Sequence, residues 1–364
     1  MARENLGGRR DLAIANPSRY MWLGVARRAA PDIPLTSRRQ FGPPPSRFRE
    51  PIRERAQFRA TIIMTKAGKI RVGISGWSYA SWRGVFYPNG LPHKQELAYA
   101  ARRFASIEIN GTFYALQRPD AFARWRSETP DGFVFAIKGS RYITHRLRLK
   151  GVETALANFF ASGVLRLGPK LGPVLWQFPP QMKFDAERLQ SFLALLPRDA
   201  KEALALARRR DARLAGRDWL ESDAEQPIRH AVEIRNESFR DPAFIALLRR
   251  HRTALVCADT VEWPLLMDLT ADFVYCRLHG SQELYVSGYD DAALDQWAGR
   301  VRAWAQGGEP DDAERVLGPA KRRAKGRDVF VFFDNDAEAR APVNAAALAE
   351  RLGLAPPWSG FGDR

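Results

Sequence analysis

The sequence predicts an α/β fold, a single (β/α)8 TIM-like barrel with charged insertions, preceded by an Arg/Pro-rich segment that does not read as folded. Two observations predict the barrel. From residue 70 onward, eight short apolar strands alternate with amphipathic helices over about 285 residues, close to the ~250 residues usual for such a barrel. No GxGxxG follows the first strand. The rival doubly wound sheet therefore lacks the phosphate-binding turn of a dinucleotide site, and no nucleotide cofactor is expected.

In chain order the strands read Arg71–Gly76, Ser106–Asn110, Phe133–Gly139, Gly172–Phe178, His230–Arg235, Thr253–Asp259, Phe273–Gly280 and Asp328–Asp334. Helical spacing falls between them at Lys94–Phe104, Asp120–Glu128, Glu153–Arg166, Asp185–Leu196, Pro242–Arg250, Asp291–Gln306 and Asn344–Arg351, where apolar residues recur at the period of one helix face. The link from the sixth strand to the seventh has room for a turn of helix. Charged stretches at 198–229 and 307–327 read as elaborated surface insertions.

Hydrophobic residues make up 45% and charged residues 27% of the 364, the balance of a globular protein. No run approaches the ~18 apolar residues of a membrane span, so no membrane partner is expected. Two cysteines cannot build a disulfide framework, which suits a reducing, cytoplasmic setting. The formal charge is +16, with residues 1–63 holding 13 Arg, no Lys and 5 acidic residues, a net +8. The same segment carries 7 of the 24 prolines, including Pro43-Pro44-Pro45. It reads as a disordered basic extension or as a misplaced translation start ahead of Met64, with residues 64–364 forming the barrel domain. The remaining +8 makes that domain only mildly basic, so a nucleic-acid partner is possible but not favoured. The oligomeric state is not legible, and a monomer is compatible with the chain.

Alternate strand residues face opposite sides of a sheet. Ile107 and Ile109 suit the helix layer, which turns Glu108 and Asn110 inward; Val232 and Ile234 do the same for Glu233 and Arg235. The same rule turns Lys138, Gln177, Asp259, Arg277, His279 and Asp334 inward. These positions crowd the C-terminal halves of their strands, where barrel enzymes build their sites. A purely structural ion-pair ring is the competing reading, but buried charge is costly and apolar residues would fill a barrel as well. Cys257 and Cys276 fall on neighbouring strands and, by this parity, on opposite faces, so no disulfide is expected; Cys257 shares the inward parity of Asp259.

The loops at that end add aromatics and a cation-rich turn. Trp77 and Tyr79 follow the first strand, Tyr114 follows Asn110 at the end of the second, and His145 lies in the run Arg141–Arg146 after the third. Aromatics beside polar groups can stack on a ring of the ligand, and cations beside an imidazole can hold a phosphate or carboxylate.

Longer blocks carry a resemblance. Val72–Tyr79 with Trp82–Pro88, Glu108–Tyr114, Ile143-Thr144-His145 and Leu175–Pro180 resemble the YecE-like proteins, which contain domain of unknown function seventy-two. So do Glu233–Asn236, Ala258-Asp259-Thr260, Tyr275–Gly280, and Phe333–Asp336 followed by Ala341–Ala345. The resemblance spans about residues 70–353 and implies a TIM-like barrel; it brings no established reaction. At Asp334 the chain departs from the Asn that family members often carry.

Three functions compete. In the first, the protein is an enzyme using acid/base chemistry on a polar or anionic small molecule. Glu108 and Glu233 are then paired carboxylates, His279 or Lys138 carries the proton, and Arg235 and Arg277 clamp an anion. Trp77, Tyr79, Asn110, Tyr114, His145, Gln177, Asp334 and Asn335 contact the substrate. In the second, a divalent Mg, Mn or Zn ion sits on Glu108, Glu233, Asp259 and His279, as in hydrolase or isomerase barrels of the sugar isomerase and apurinic endonuclease kind. The third is a non-catalytic nucleic-acid binder.

Overall fold

The computed structural model describes residues 67–354 apart from 223–224, 281 and 324. The reading of residues 1–63 lies outside the described residues. Eight parallel strands close into a barrel in sequence order: β1 (Ile70–Ser75), β2 (Ser106–Ile109), β3 (Val134–Lys138), β4 (Leu171–Gln177), β5 (His230–Glu233), β6 (Ala254–Asp259), β7 (Phe273–Leu278) and β8 (Asp328–Phe333). The helices are α1 (Glu96–Ala101), α2 (Gly111–Tyr114), α3 (Pro119–Ser127), α4 (Glu153–Ala161), α5 (Ala186–Leu195), α6 (Ala200–Ala207), α7 (Pro242–Arg250), α8 (Asp291–Ala305) and α9 (Arg340–Arg351). The predicted (β/α)8 barrel is therefore the fold, and no described helix is long and apolar enough to cross a membrane.

Local chemistry sets the helix starts. Asp185, Asp199, Asp241 and Asp290 each cap a helix by accepting a backbone N–H through the side chain, from Arg188, Glu202, Ala243 and Ala293. Such caps contribute about 1 kcal/mol each. Pro242 at the first position of α7 gives up no intrahelical bond. The 198–229 stretch contains α6, whose charged residues masked an apolar face of Ala200, Ala203, Leu206 and Ala207. The β6–β7 link has no helix, and the predicted Glu153–Arg166 helix stops at Ala161 because Gly163 takes φ 115°.

Two apolar layers surround the strands. Outside, side chains such as Ile74, Ile107, Ile137, Trp176, Val232 and Val331 pack under the helices. Inside, Ala136, Leu175, Ala231, Ala254, Val256, Phe273, Tyr275, Phe330 and Phe332 fill the barrel. The large rings come from β7 and β8 and the small residues from β3, β5 and β6, so their volumes interlock across the axis. On β1 the approach to β2 is so close that a Cβ on Gly73 would lie 1.8 Å from the Ser106 carbonyl oxygen. Only glycine fits there.

The register corrects the phase read for β6. Val256 pairs with Tyr275 and Ala258 with Arg277, which puts Val256 and Ala258 inside and turns Cys257 and Asp259 outward. Asp259 accepts a bond from Trp297 Nε1 of α8 at 3.0 Å, in the helix layer and away from the axis. Cys257 and Cys276 are register partners and face the same side, not opposite ones; both are buried free thiols. The strand reads Ala-Leu-Val-Cys-Ala-Asp, apolar on both faces, so its alternation holds no phase.

Candidate functional site

Arg277 projects from β7 into the axis of the barrel at the C-terminal end, with 0% of its surface exposed. Its Nε donates to Glu108 Oε2 at 3.1 Å and its Nη1 to Glu233 Oε2 at 2.7 Å. Its Nη2 donates to Glu108 Oε1 at 2.9 Å and to Asp334 Oδ2 at 2.6 Å. Strands β2 and β5 and the residue that follows β8 thus each present one carboxylate to a guanidinium from β7. Glu108 also accepts from Ser75 Oγ at 2.8 Å and Tyr275 Oη at 2.5 Å. Burial opposes ionisation of Glu233, but Arg277 and Arg235 beside it hold its carboxyl well below the usual range. Asp334 is likewise held low against its burial, first by Arg277.

This geometry revises three assignments. Arg277 cannot clamp a ligand anion, because its N–H groups are spent inside the protein. Glu108 and Glu233 are not a free acid/base pair, because the same cation lies between them. The set Glu108, Glu233, Asp259 and His279 does not fit a metal: Arg277 occupies the carboxylate oxygens a cation would need, and Asp259 faces the helices. No group of three or more His, Cys, Asp or Glu among the described residues has metal-binding geometry.

The other residues divide between the ring and a cleft above it. His279 Nδ1 lies 3.0 Å from Asp334 Oδ2, and burial, then Arg277, lowers the imidazole's pKa, keeping it neutral. Arg235 donates through Nε to Glu233 Oε1 at 2.8 Å, reaches Tyr285 Oη at 3.1 Å and stacks 4.1 Å from the Trp263 ring. Gln177 points inward with a buried, unpartnered Oε1. Asn335 donates through Nδ2 to Ser287 O and Asn344 Oδ1, both at 3.0 Å, which pins the loop after β7 to α9; its buried Oδ1 has no partner, and the residue does not line the cleft.

The cleft has a volume of about 550 Å³ and is lined by Trp77, Tyr79, Asn110, Tyr114, Lys138, Tyr285, Asp334 and Asp336, among others. Of the predicted contact residues, it gathers Trp77, Tyr79, Asn110, Tyr114 and Asp334, together with Lys138, the predicted proton carrier. Trp77 is fixed edge-on against Trp125 at 5.5 Å, and Tyr79 donates to Ser75 O at 2.6 Å. Tyr114 is 68% exposed at the mouth. His145 sits edge-on to Phe113 at 5.1 Å; burial, then Arg235 and Lys138, pushes its pKa down to about 4.

Lys138 stands at the floor. Its Nζ lies 4.7 Å from the centre of the Phe113 ring, and 8% of the residue is exposed. Among the described residues it has no carboxylate within ion-pair distance and no side-chain hydrogen bond. Burial, then Arg277, lowers its pKa. Asp336 was missed by strand parity because it lies past the end of β8, although the run Phe333–Asp336 was already conspicuous. Burial, then Asp334, pushes its carboxyl up to about 8, and its Oδ1 is buried without a partner. Tyr285 was also missed, though an aromatic in a loop at this end was a usable signal. Tyr275, two residues before Arg277, follows from the same parity.

Asp336 yields a pH prediction. The folded protein holds this proton up to about pH 8, the unfolded chain only to about 4. Between those values the folded state binds more protons, so this group's contribution to stability falls as pH rises, by at most ~1.4 kcal/mol per pH unit. Asp336→Asn should therefore gain in melting temperature on the wild type between pH 5 and 8. Parallel melting curves across that range would contradict the assignment.

Residues 71–359 match the family model described as "Protein of unknown function DUF72". The chain belongs to this family. YunF of Bacillus subtilis is 29% identical over 79% of this chain and 98% of its own length. YecE of Escherichia coli K12 is 31% identical over 110 residues, 30% of this chain and only 38% of YecE. A solved DUF72 protein of Thermotoga maritima superposes with a TM-score of 0.58 at 23% identity, covering 78% of this chain and 99% of that one. One from Enterococcus faecalis gives 0.55 at 17%, covering 79% and 96%. These DUF72 structures share the barrel and speak to fold alone.

Proposed function

We propose that this DUF72 protein is an enzyme that moves protons on a small polar molecule held in the cleft at the C-terminal face of the barrel. Lys138 serves as the base and Asp336 as the acid. Asn110 supplies a hydrogen-bonding contact, and Trp77 and Tyr114 form an apolar wall against which the substrate stacks. The observation that carries this reading is Lys138, an interior amine left without a carboxylate partner while Arg277 and Arg235 are paired. An amine with a lowered pKa and a carboxyl with a raised one, facing the same cleft, are the two halves of an acid/base pair.

The test follows isotope rather than a guessed product. The full chain is incubated in deuterium oxide with mixtures of hydroxy acids, keto acids and sugars, and each component is read by mass spectrometry. At least one component should gain deuterium or be converted, and Lys138→Met should slow this by ~100-fold or more. Components unchanged in every mixture, or equal rates for the variant, would overturn the reading.

A further inference from the structure

We infer that Lys138 is a nucleophile that forms an imine with its ligand, so that the cleft takes an aldehyde or a ketone. This rests on the reading of the cleft as catalytic and adds the substrate class.

The charge around the amine argues for a neutral carbonyl over an anion. Glu108, Glu233 and Asp334 are offset by Arg277 and Arg235. With Lys138 neutral, the ring carries one negative charge in excess. Asp336 beside Asp334 adds a further carboxyl to the cleft wall. A carboxylate or phosphate ligand at Lys138 would meet these oxygens at close range, whereas a carbonyl carbon brings no charge. The nitrogen lone pair is also unengaged, since Phe113 offers only its ring face. A desolvated amine next to another cation is the arrangement that activates lysine toward carbonyls.

The step balances within the residues at hand. The Nζ lone pair attacks the carbonyl carbon, and the C=O π pair moves to oxygen, which takes the proton of the Asp336 carboxyl. The nitrogen then returns a proton to the Asp336 carboxylate. That carboxyl protonates the hydroxyl, which leaves as water as the nitrogen lone pair forms C=N. The iminium nitrogen then hands its remaining proton to the Asp336 carboxylate, so the sum is amine plus carbonyl giving imine plus water. Asn110, with a buried unpartnered Oδ1 in the same wall, accepts a hydrogen bond from the carbinolamine hydroxyl. Trp77, Trp125 and Tyr114 flank the space and limit water's return to the imine.

The experiment traps the bond. The full chain is mixed separately with glyceraldehyde, dihydroxyacetone and acetone in the presence of cyanoborohydride, and the adducts are mapped by peptide mass spectrometry. At least one probe should modify Lys138 at a concentration that leaves the exposed Lys94 and Lys150 unmodified, and Lys138→Arg should remove that adduct. No adduct at Lys138 with any probe, or labelling of Lys138 no faster than of Lys94, overturns the imine. Deuterium exchange persisting without an adduct removes the imine and leaves the proton-transfer reading standing. Loss of both removes both.

Discussion

Replacing Arg277 by Met should cost more stability than any other single change at this end of the barrel. The guanidinium is completely buried and links carboxylates on β5, on β2 and just past β8, at 2.7 Å to Glu233, 2.9 Å to Glu108 and 2.6 Å to Asp334. Methionine fills part of the volume but leaves Glu108 and Asp334 without a guanidinium partner and Glu233 with Arg235 alone. Breaking a buried pair from one side typically costs ~3–5 kcal/mol, against a total of about 5–15 kcal/mol for a whole domain. The variant should be insoluble, or its urea midpoint should fall by a large fraction. Lysine at this position keeps the charge but cannot fork across three acceptors, so Arg277→Lys should recover only part of the loss. Adding Glu108→Gln to Arg277→Met should restore some stability, because one of the stranded charges disappears. A loss below ~1 kcal/mol in the single variant, or no rescue in the double, would mean that the ring does not hold the strands together. The pH dependence has a definite sign. Glu233 and Asp334 are held below their ordinary values, so the stability they contribute is present above about pH 4 and is lost as acid approaches their folded values.

The ring was half legible in the sequence. β2 and β5 read Ser-Ile-Glu-Ile and His-Ala-Val-Glu, where one apolar face and one polar position fix the phase, and Glu108 and Glu233 point inward as expected. β6 is apolar on both faces, so Asp259 and Cys257 were assigned to the wrong side. The sequence also shows that Arg277 faces inward with the carboxylates. It does not show that the barrel closes so tightly that the arginine satisfies three of them and leaves Lys138 unpaired. That pairing depends on side chains 44 to 169 residues apart in the chain, which no local pattern encodes. Asp336 and Tyr285 lie in loops, where parity has no meaning, and Asp336 owes its raised pKa to burial against Asp334. Barrel closure turned a list of polar residues into a paired ring beneath a cleft with one unpaired amine.

Lys138→Met should abolish the proposed chemistry and at the same time stabilise the fold. The wild-type protein keeps an amine in an 8% exposed position with an aromatic ring face as its nearest partner. Methionine has a similar reach, packs against Phe113 and leaves no polar atom to desolvate. The attraction of Asp334, Glu108 and Glu233 for the ammonium favours the wild type, but burial and Arg277 outweigh it, since the pKa moves down. The gain should be roughly 1–2 kcal/mol near neutral pH, the size expected when a residue kept for function is replaced by one chosen for packing. Its pH dependence separates this cause from ordinary cavity filling. The unfolded amine holds its proton up to about pH 10.4, and the folded one releases it earlier. Through that window the unfolded state binds more protons, so wild-type stability rises with pH and the advantage of the Met variant shrinks as pH 10 is approached. Urea midpoints of both proteins at pH 6, 8 and 10 measure this directly. A Met variant less stable than wild type, or a gap that stays constant with pH, would mean that Lys138 is satisfied where it stands. The amine would then have no strain to release to a substrate.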